Sequence, residues 1–184
     1  MLDRDAVPAL HPDAPAPPSR SAVVDWITDA TLRGRTVLAA IPPLYAAYAT
    51  VLVPEERKDR ADAALVAVLR EHGPQRWWLG YLDTGVADLP EPAQPRVSVY
   101  TGWPYVLREG GPEQALAPRE HTPWHSALPE LLFPHDRSWL VSTMWDDDWR
   151  CVGGPAALVE ALLASPELVC RAVAPDDDAT PREP

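Results

Sequence analysis

Arg76-Trp77-Trp78-Leu79-Gly80-Tyr81-Leu82 is the stretch that decides the fold. Trp77, Leu79 and Tyr81 recur with a period of two, the side-chain repeat of a strand and not of a helix. Adjacent residues on a strand project to opposite faces of a sheet. Trp77 and Trp78 therefore point apart, one toward packed helices and the other toward a second cover, a ligand or a partner.

Upstream of this strand the pattern is helical. Residues 55–72 begin with Glu55 and Glu56, whose charge suits a helix N-terminus. Ala61, Leu65, Val68 and Leu69 make one apolar stripe, and Gly73-Pro74 stops the helix. A second helix is predicted from Pro43, because proline suits the first helical turn and Leu44, Ala47, Tyr48 and Val51 share a face. A first short helix, from Ser21 to about Thr31, buries Val23, Trp26, Ile27 and Ala30, and Arg33-Gly34-Arg35 breaks it.

Downstream the pattern is β. Residues 96–100 and 105–109 read as a hairpin turning at Thr101-Gly102, with Pro104 at a sheet edge. A proline-rich loop is predicted over residues 112–135. Residues 138–145 and 149–152 make a second hairpin whose turn is Asp146-Asp147-Asp148. Gly153-Gly154-Pro155 caps the start of a helix over 156–164, with Leu158, Val159, Leu162 and Leu163 inward, and residues 168–173 form a last strand. Helices, then antiparallel strands, then one late helix predict an α+β fold, an antiparallel sheet packed by helices on one side. The domain spans 21–173, flanked by a disordered proline-rich arm at 1–20 and a disordered acidic tail at 174–184.

The chain has 184 residues, 46% hydrophobic and 23% charged, enough for one self-sufficient core. No run approaches the 18 apolar residues of a membrane span; residues 37–53 come nearest and are interrupted by Pro42 and Pro43. No basic segment followed by an apolar run opens the chain, so no secretory signal is expected. Cys151 and Cys170 are too few for a disulfide scaffold, which fits a cytoplasmic protein with reduced thiols. Arginine supplies every basic side chain except Lys58, asparagine is absent, and Ile27 and Ile41 are the only isoleucines. That avoidance of AT-rich codons points to a GC-rich bacterium such as an actinomycete.

Net charge is −11 and the pI near 4.8, which disfavours nucleic-acid binding. Asp3, Asp5 and Asp13 against Arg4 and Arg20 put −1 on the arm. Asp176, Asp177, Asp178 and Glu183 against Arg182 put −3 on the tail, so −7 stays on the domain. Such a surface attracts a basic partner.

Few constellations carry chemistry. Asp146-Asp147-Asp148 offers hard oxygen ligands, but consecutive strand residues alternate faces and no EF-hand glycine accompanies them, so a solvated turn is the simpler reading. His121, His125 and His135-Asp136, with Cys151, are the residues that a small hydrolase or metal-dependent enzyme would use. Pro123 disrupts the helix that would set His121 and His125 on one face. No nucleophile elbow, phosphate loop or dinucleotide fingerprint occurs. No metal or cofactor is expected. The tryptophans say more: Trp77, Trp78, Trp103, Trp124, Trp139, Trp145 and Trp149 all fall in the β half. Outward indoles need cover and serve as interface anchors, or line a small-molecule pocket.

Two stretches carry a family resemblance. Ile41-Pro42-Pro43-Leu44-Tyr45-Ala46-Ala47-Tyr48 resembles the Leu-Pro-x-x-Tyr helix opening of SUKH-superfamily domains, and Trp149-Arg150-Cys151-Val152-Gly153-Gly154 running into a helix is similar to their closing segment. The Asn-Gly that usually follows the first helices is missing, and an additional helix at 55–72 intervenes. Many members are bacterial toxin-immunity proteins. The resemblance implies an immunity-type protein; the acidic charge and the outward indoles predict a non-enzymatic domain that binds a basic protein, with Trp77 or Trp78, Trp103 and Trp145 as candidate anchors and Asp146, Asp147 and Asp148 at the rim.

Overall fold

Trp77–Leu82 forms strand β2 inside a single antiparallel sheet, and its side chains alternate as the sequence requires. The computed structural model describes residues 20–85, 89, 94–117, 128–144 and 148–180. Chain order is α1 (Arg20–Thr28), a 3-10 turn (Val37–Ala39), β1 (Ala47–Leu52), a 3-10 turn (Glu55–Arg57), α2 (Lys58–Glu71) and β2. Then follow β3 (Arg96–Val99), β4 (Trp103–Gly110), α3 (Pro112–Ala115), β5 (Leu131–Pro134), β6 (Leu140–Ser142), β7 (Trp149–Gly154), α4 (Ala156–Ala164) and β8 (Val169–Val173). The eight strands lie in the order β3-β4-β2-β5-β6-β7-β1-β8, and every pairing is antiparallel. The fold is α+β.

The two longest-range apolar layers sit on opposite faces. On one, Leu65, Val66 and Leu69 of α2 and Leu158 and Leu162 of α4 pack on Trp77, Leu79, Val141 and Val152. Trp77 and Trp139 meet edge-to-face there at 5.0 Å, a favourable quadrupole arrangement. The other face is closed as well: Val23, Val24 and Ile27 of α1, with Val37, Ala40 and Ile41, cover Leu82, Tyr105, Phe133 and Leu140. The pattern that places α2 and α4 together is therefore half of a three-layer arrangement.

The two predicted hairpins form. Tyr105 of β4 pairs with Val97 of β3 across a turn in which Tyr100 (φ 57°) and Gly102 (φ 104°) take the left-handed backbone. β3 is the edge strand and β4 is interior. Pro104 lies just past the last Leu82–Tyr105 pair of the β2 ladder, and its carbonyl accepts Asp83 N–H at 2.8 Å. β6 and β7 pair through Val141 and Val152.

Several readings need correction. Residues 43–51 are not a helix: Ala47–Leu52 is a strand between β7 and β8. Tyr48 faces the α1 layer and Val51 the α2 layer, while Leu44 is 62% exposed, so the apparent stripe is split. The predicted loop over 112–135 contains α3 and β5. In β5 Leu131 and Phe133 face one layer and Leu132 the other, as a strand buried on both sides demands. Leu163 is 45% exposed, because five residues after Leu158 a helix has turned its side chain away from the core.

Gly153 and Gly154 belong to β7 and do not act as a helix cap. A Cβ on Gly153 would stand 2.5 Å from Ile41 Cγ2 and Tyr45 Cδ2. Past residue 173 the chain stays paired: Val37 N–H donates to Asp177 O, Leu38 N–H to Pro175 O and Ala179 N–H to Arg35 O. The expected tail is thus hydrogen-bonded chain as far as residue 180. Cys151 and Cys170 lie on strands separated by β1, on opposite faces, and form no disulfide.

Candidate functional site

The tryptophans part company in the structure. Trp77 is fully buried and its Nε1–H donates to Pro74 O at 2.7 Å, so it is a core residue and not an anchor. Trp78 is half-buried and stacks on His135 with ring centroids 5.1 Å apart. Trp103, also half-buried, lines a groove. Trp145, Asp146 and Asp147 lie outside the described residues; Asp148 is exposed, and its carbonyl accepts Val53 N–H.

The histidine constellation does not assemble among the described residues. His121 and His125 lie outside them. His135 faces Trp78 and stands 4.0 Å from Glu109 Oε1, while Asp136 Oδ1 accepts Ser138 N–H. Cys151 is buried in the layer beneath α1. No three His, Cys, Asp or Glu among the described residues gather closely enough to hold a metal ion, and no helix among them is long and apolar enough to cross a membrane.

The groove is built where three ends of the fold converge. α1 runs out at Thr28, and Arg33-Gly34-Arg35 bends the chain back, Gly34 taking φ 142°. Ala39 closes the 3-10 turn on one side. The β3–β4 turn brings Tyr100, Thr101 and Trp103, and Met144 and Trp149 come from the two ends of the β6–β7 connection. Two adjoining cavities of 630 Å³ and 230 Å³ share Gly34, Ala39 and Met144 as walls.

The floor is sealed by hydrogen bonding. Tyr100 OH lies 2.6 Å from Ser142 Oγ and donates toward Ala40 O at 3.2 Å. Burial raises the Tyr100 phenol well above the ordinary tyrosine range, so it stays a neutral donor. Tyr100 meets Trp103 edge-to-face at 6.2 Å, which steadies the indole on the groove wall. The indole N–H of Trp149 is buried and has no hydrogen-bond partner among the described residues. Arg33 and Arg35 are exposed on the rim. The groove thus offers flat apolar area edged by two guanidinium groups.

Of the residues singled out from sequence, Trp103 and Trp149 are brought to this groove; Trp145, Asp146 and Asp147 lie outside the described residues, between Met144 and Asp148. Arg33 and Arg35 read in sequence only as a helix breaker, and nothing in the pattern linked Tyr100 or Met144 to a site. Comparison of the chain with protein-family models, curated proteins and solved structures gives no match.

Proposed function

We propose that this chain is a non-enzymatic binding domain that recognises another protein, the groove receiving the partner's apolar anchor. One observation carries the reading: Met144 and Trp149, which flank the Trp145–Asp148 turn in the chain, line the same groove as Trp103. The exposed Asp148 precedes the lining residue Trp149 in the chain, so at least one carboxylate stands beside the apolar wall. A net charge of −11 steers a basic partner toward this surface and speeds encounter. The likeness to SUKH-superfamily domains keeps one of its two stretches, Trp149–Gly154 running into α4, whereas Ile41–Tyr48 opens no helix; on the former rests the proposal of an immunity-type role against a basic toxin in the cytoplasm.

The test is capture of a partner from the native host at low salt, followed by binding kinetics with that purified partner. Trp103→Ala is expected to weaken affinity at least tenfold through the dissociation rate. Asp146→Lys with Asp148→Lys is expected to slow association and flatten its salt dependence. Retention of no protein at low salt, or unchanged kinetics in both variants, overturns the reading.

A second reading has its own support. The larger cavity, 630 Å³, falls within the range of small-molecule sites. Saturable quenching of intrinsic fluorescence by a metabolite, lost in Trp103→Ala, would favour a small-molecule binding module.

A further inference from the structure

We propose that two copies of this chain join edge to edge through β8, their sheets becoming continuous and their α4 helices lying side by side. The groove takes no part in this contact.

The β1 ladder shows which backbone groups of β8 are free. Val53 N–H donates to Asp148 O directly across from it, so the odd-numbered residues of β1 turn their polar groups to β7. Tyr48, Thr50 and Leu52 therefore turn theirs to Val173, Arg171 and Val169 of β8. Between these, Cys170 and Ala172 direct N–H and C=O away from the sheet, where no backbone group among the described residues meets them. Turns close both ends of this short edge: Leu168 N–H donates to Ser165 O, and Asp177 N–H to Ala174 O. The other edge of the sheet, β3, has α1 against it and the Arg96–Asp83 ion pair beside it. β8 has less protection. Its one charged side chain, Arg171, is drawn to Asp178 O, while Val169 and Ala172 are exposed.

Length and charge select a second copy as the occupant. A long peptide gains few bonds from an edge this short, whereas two copies related by a two-fold axis satisfy each other. An axis through Cys170 sets Cys170 opposite its own copy and Val169 opposite Arg171. Cys170 N–H and C=O then exchange bonds, and Ala172 N–H reaches Leu168 O. An axis through Arg171 would instead oppose two like charges, which is unfavourable. Above this edge α4 rests on β8 and β1, with α2 on its flank. Ala157, Glu160, Leu163 and Ala164 of α4 are exposed, so its outer side is nearly all small or apolar. The charges of this surface balance, Arg171 against Glu160 and Arg60 paired with Glu167. The acids at 176–178 lie past the closing turn, where Asp178 bridges to Thr36. On a chain of net charge −11 this is a surface where like copies repel little.

Sedimentation velocity of the full chain from about 5 to 500 µM tests this, a range that covers small interfaces. A monomer–dimer equilibrium is expected, and raising NaCl from about 0.05 to 0.5 M should tighten it by screening the repulsion between two acidic copies. Ala172→Pro deletes an outward N–H and leaves the β1 ladder whole, whereas Ala172→Lys keeps the backbone and sets a charge at the seam. Leu163→Glu charges the helix face. Each variant is expected to raise the dimer dissociation constant at least about tenfold. Ala172→Lys and Leu163→Glu should keep the near-ultraviolet circular dichroism of the parent, so that a loss of dimer is not a loss of fold. A chain that stays monomeric throughout overturns the proposal and leaves the edge to another occupant. So does a dimer that all three variants leave intact, or one that salt weakens.

Discussion

Arg150 Nη1 lies 2.7 Å from Asp62 Oδ1, with 4% and 0% of the two side chains exposed. The pair ties β7 to the middle of α2 inside an otherwise apolar layer. Its contact is ionic and not a well-aligned hydrogen bond, since neither Asp62 oxygen nor Arg150 Nε has a hydrogen-bond partner. Desolvation offsets much of the attraction in such a pair, but removing one member strands the other charge. Asp62→Ala is expected to cost about 3–5 kcal/mol in urea denaturation. Asp62→Leu combined with Arg150→Met should cost far less, because no charge is left buried. A double variant as unstable as the single one would show that the pair's packing, and not its charge, holds α2 to β7.

Gly153 makes the opposite kind of contact, one of close approach. Its Cα faces Ile41 and Tyr45, and a methyl group would stand 2.5 Å from both. Gly153→Ala is expected to lower stability by about 1–3 kcal/mol through overpacking. Ile41→Ala in the same chain should recover part of that loss in thermal melts. Additive losses would mean that the segment carrying Ile41 does not press on β7 as the geometry requires.

Much of this architecture was legible. The alternation at 76–82, the two hairpins, the final helix and the last strand all declare themselves through local periodicity and turn residues. β1 did not, because Leu44, Ala47, Tyr48 and Val51 fall at helical spacing while the same residues also suit a strand. What decides the matter is β7 and β8, about a hundred residues downstream, which supply a ladder on each side. β5 was hidden for a related reason: Leu131-Leu132-Phe133-Pro134 is a short apolar run between prolines, with no alternation because both faces are buried. The groove was the least legible part. Trp103 was found by its chemistry, whereas Arg33, Tyr100 and Met144 meet it only through the tertiary path of the chain.

Asp83 gives the chain an acid-sensitive contact at the end of β2. Arg96 Nε donates to Asp83 Oδ2 at 2.8 Å and Gly85 N–H to Oδ1 at 2.9 Å. The Arg96 bond first, then the Gly85 N–H, hold the carboxyl below its usual range, with burial opposing weakly. A depressed folded-state pKa means stability that is present above the unfolded value of about 3.9 and lost as pH falls through the folded one. Wild type should therefore lose stability relative to Asp83→Asn between about pH 5 and pH 3. Parallel pH profiles for the two proteins would refute the contact.

Cys170 is half-buried on the edge strand β8, packed against the α2 and α4 layer. Burial pushes the thiol up to about 12. Because the thiolate is the nucleophile, alkylation by iodoacetamide at pH 8 should be clearly slower than for a fully exposed cysteine. Mass spectrometry should find Cys170 modified more slowly in the folded protein than in urea. Equal labelling rates in the two states would contradict the partial burial of Cys170 against α4.

The indoles should separate by stability as they separate by position. Trp77 is sealed between α2 and the sheet, touching Trp139 and hydrogen-bonded to Pro74 O, so nothing can relax into the space it leaves. Trp77→Ala is expected to cost about 3–5 kcal/mol. Trp103 sits half-exposed on the groove wall with Tyr100 on one side, so its truncation forfeits one ring contact and partial burial. Trp103→Ala should cost about 1 kcal/mol, since an aromatic pair contributes roughly 0.5–1.5 beyond area burial. Trp78, half-buried against His135, should fall between them. Chemical denaturation of the three variants gives the order directly. If Trp103→Ala proves as costly as Trp77→Ala, the groove wall is core, and a binding role for it loses its exposed anchor.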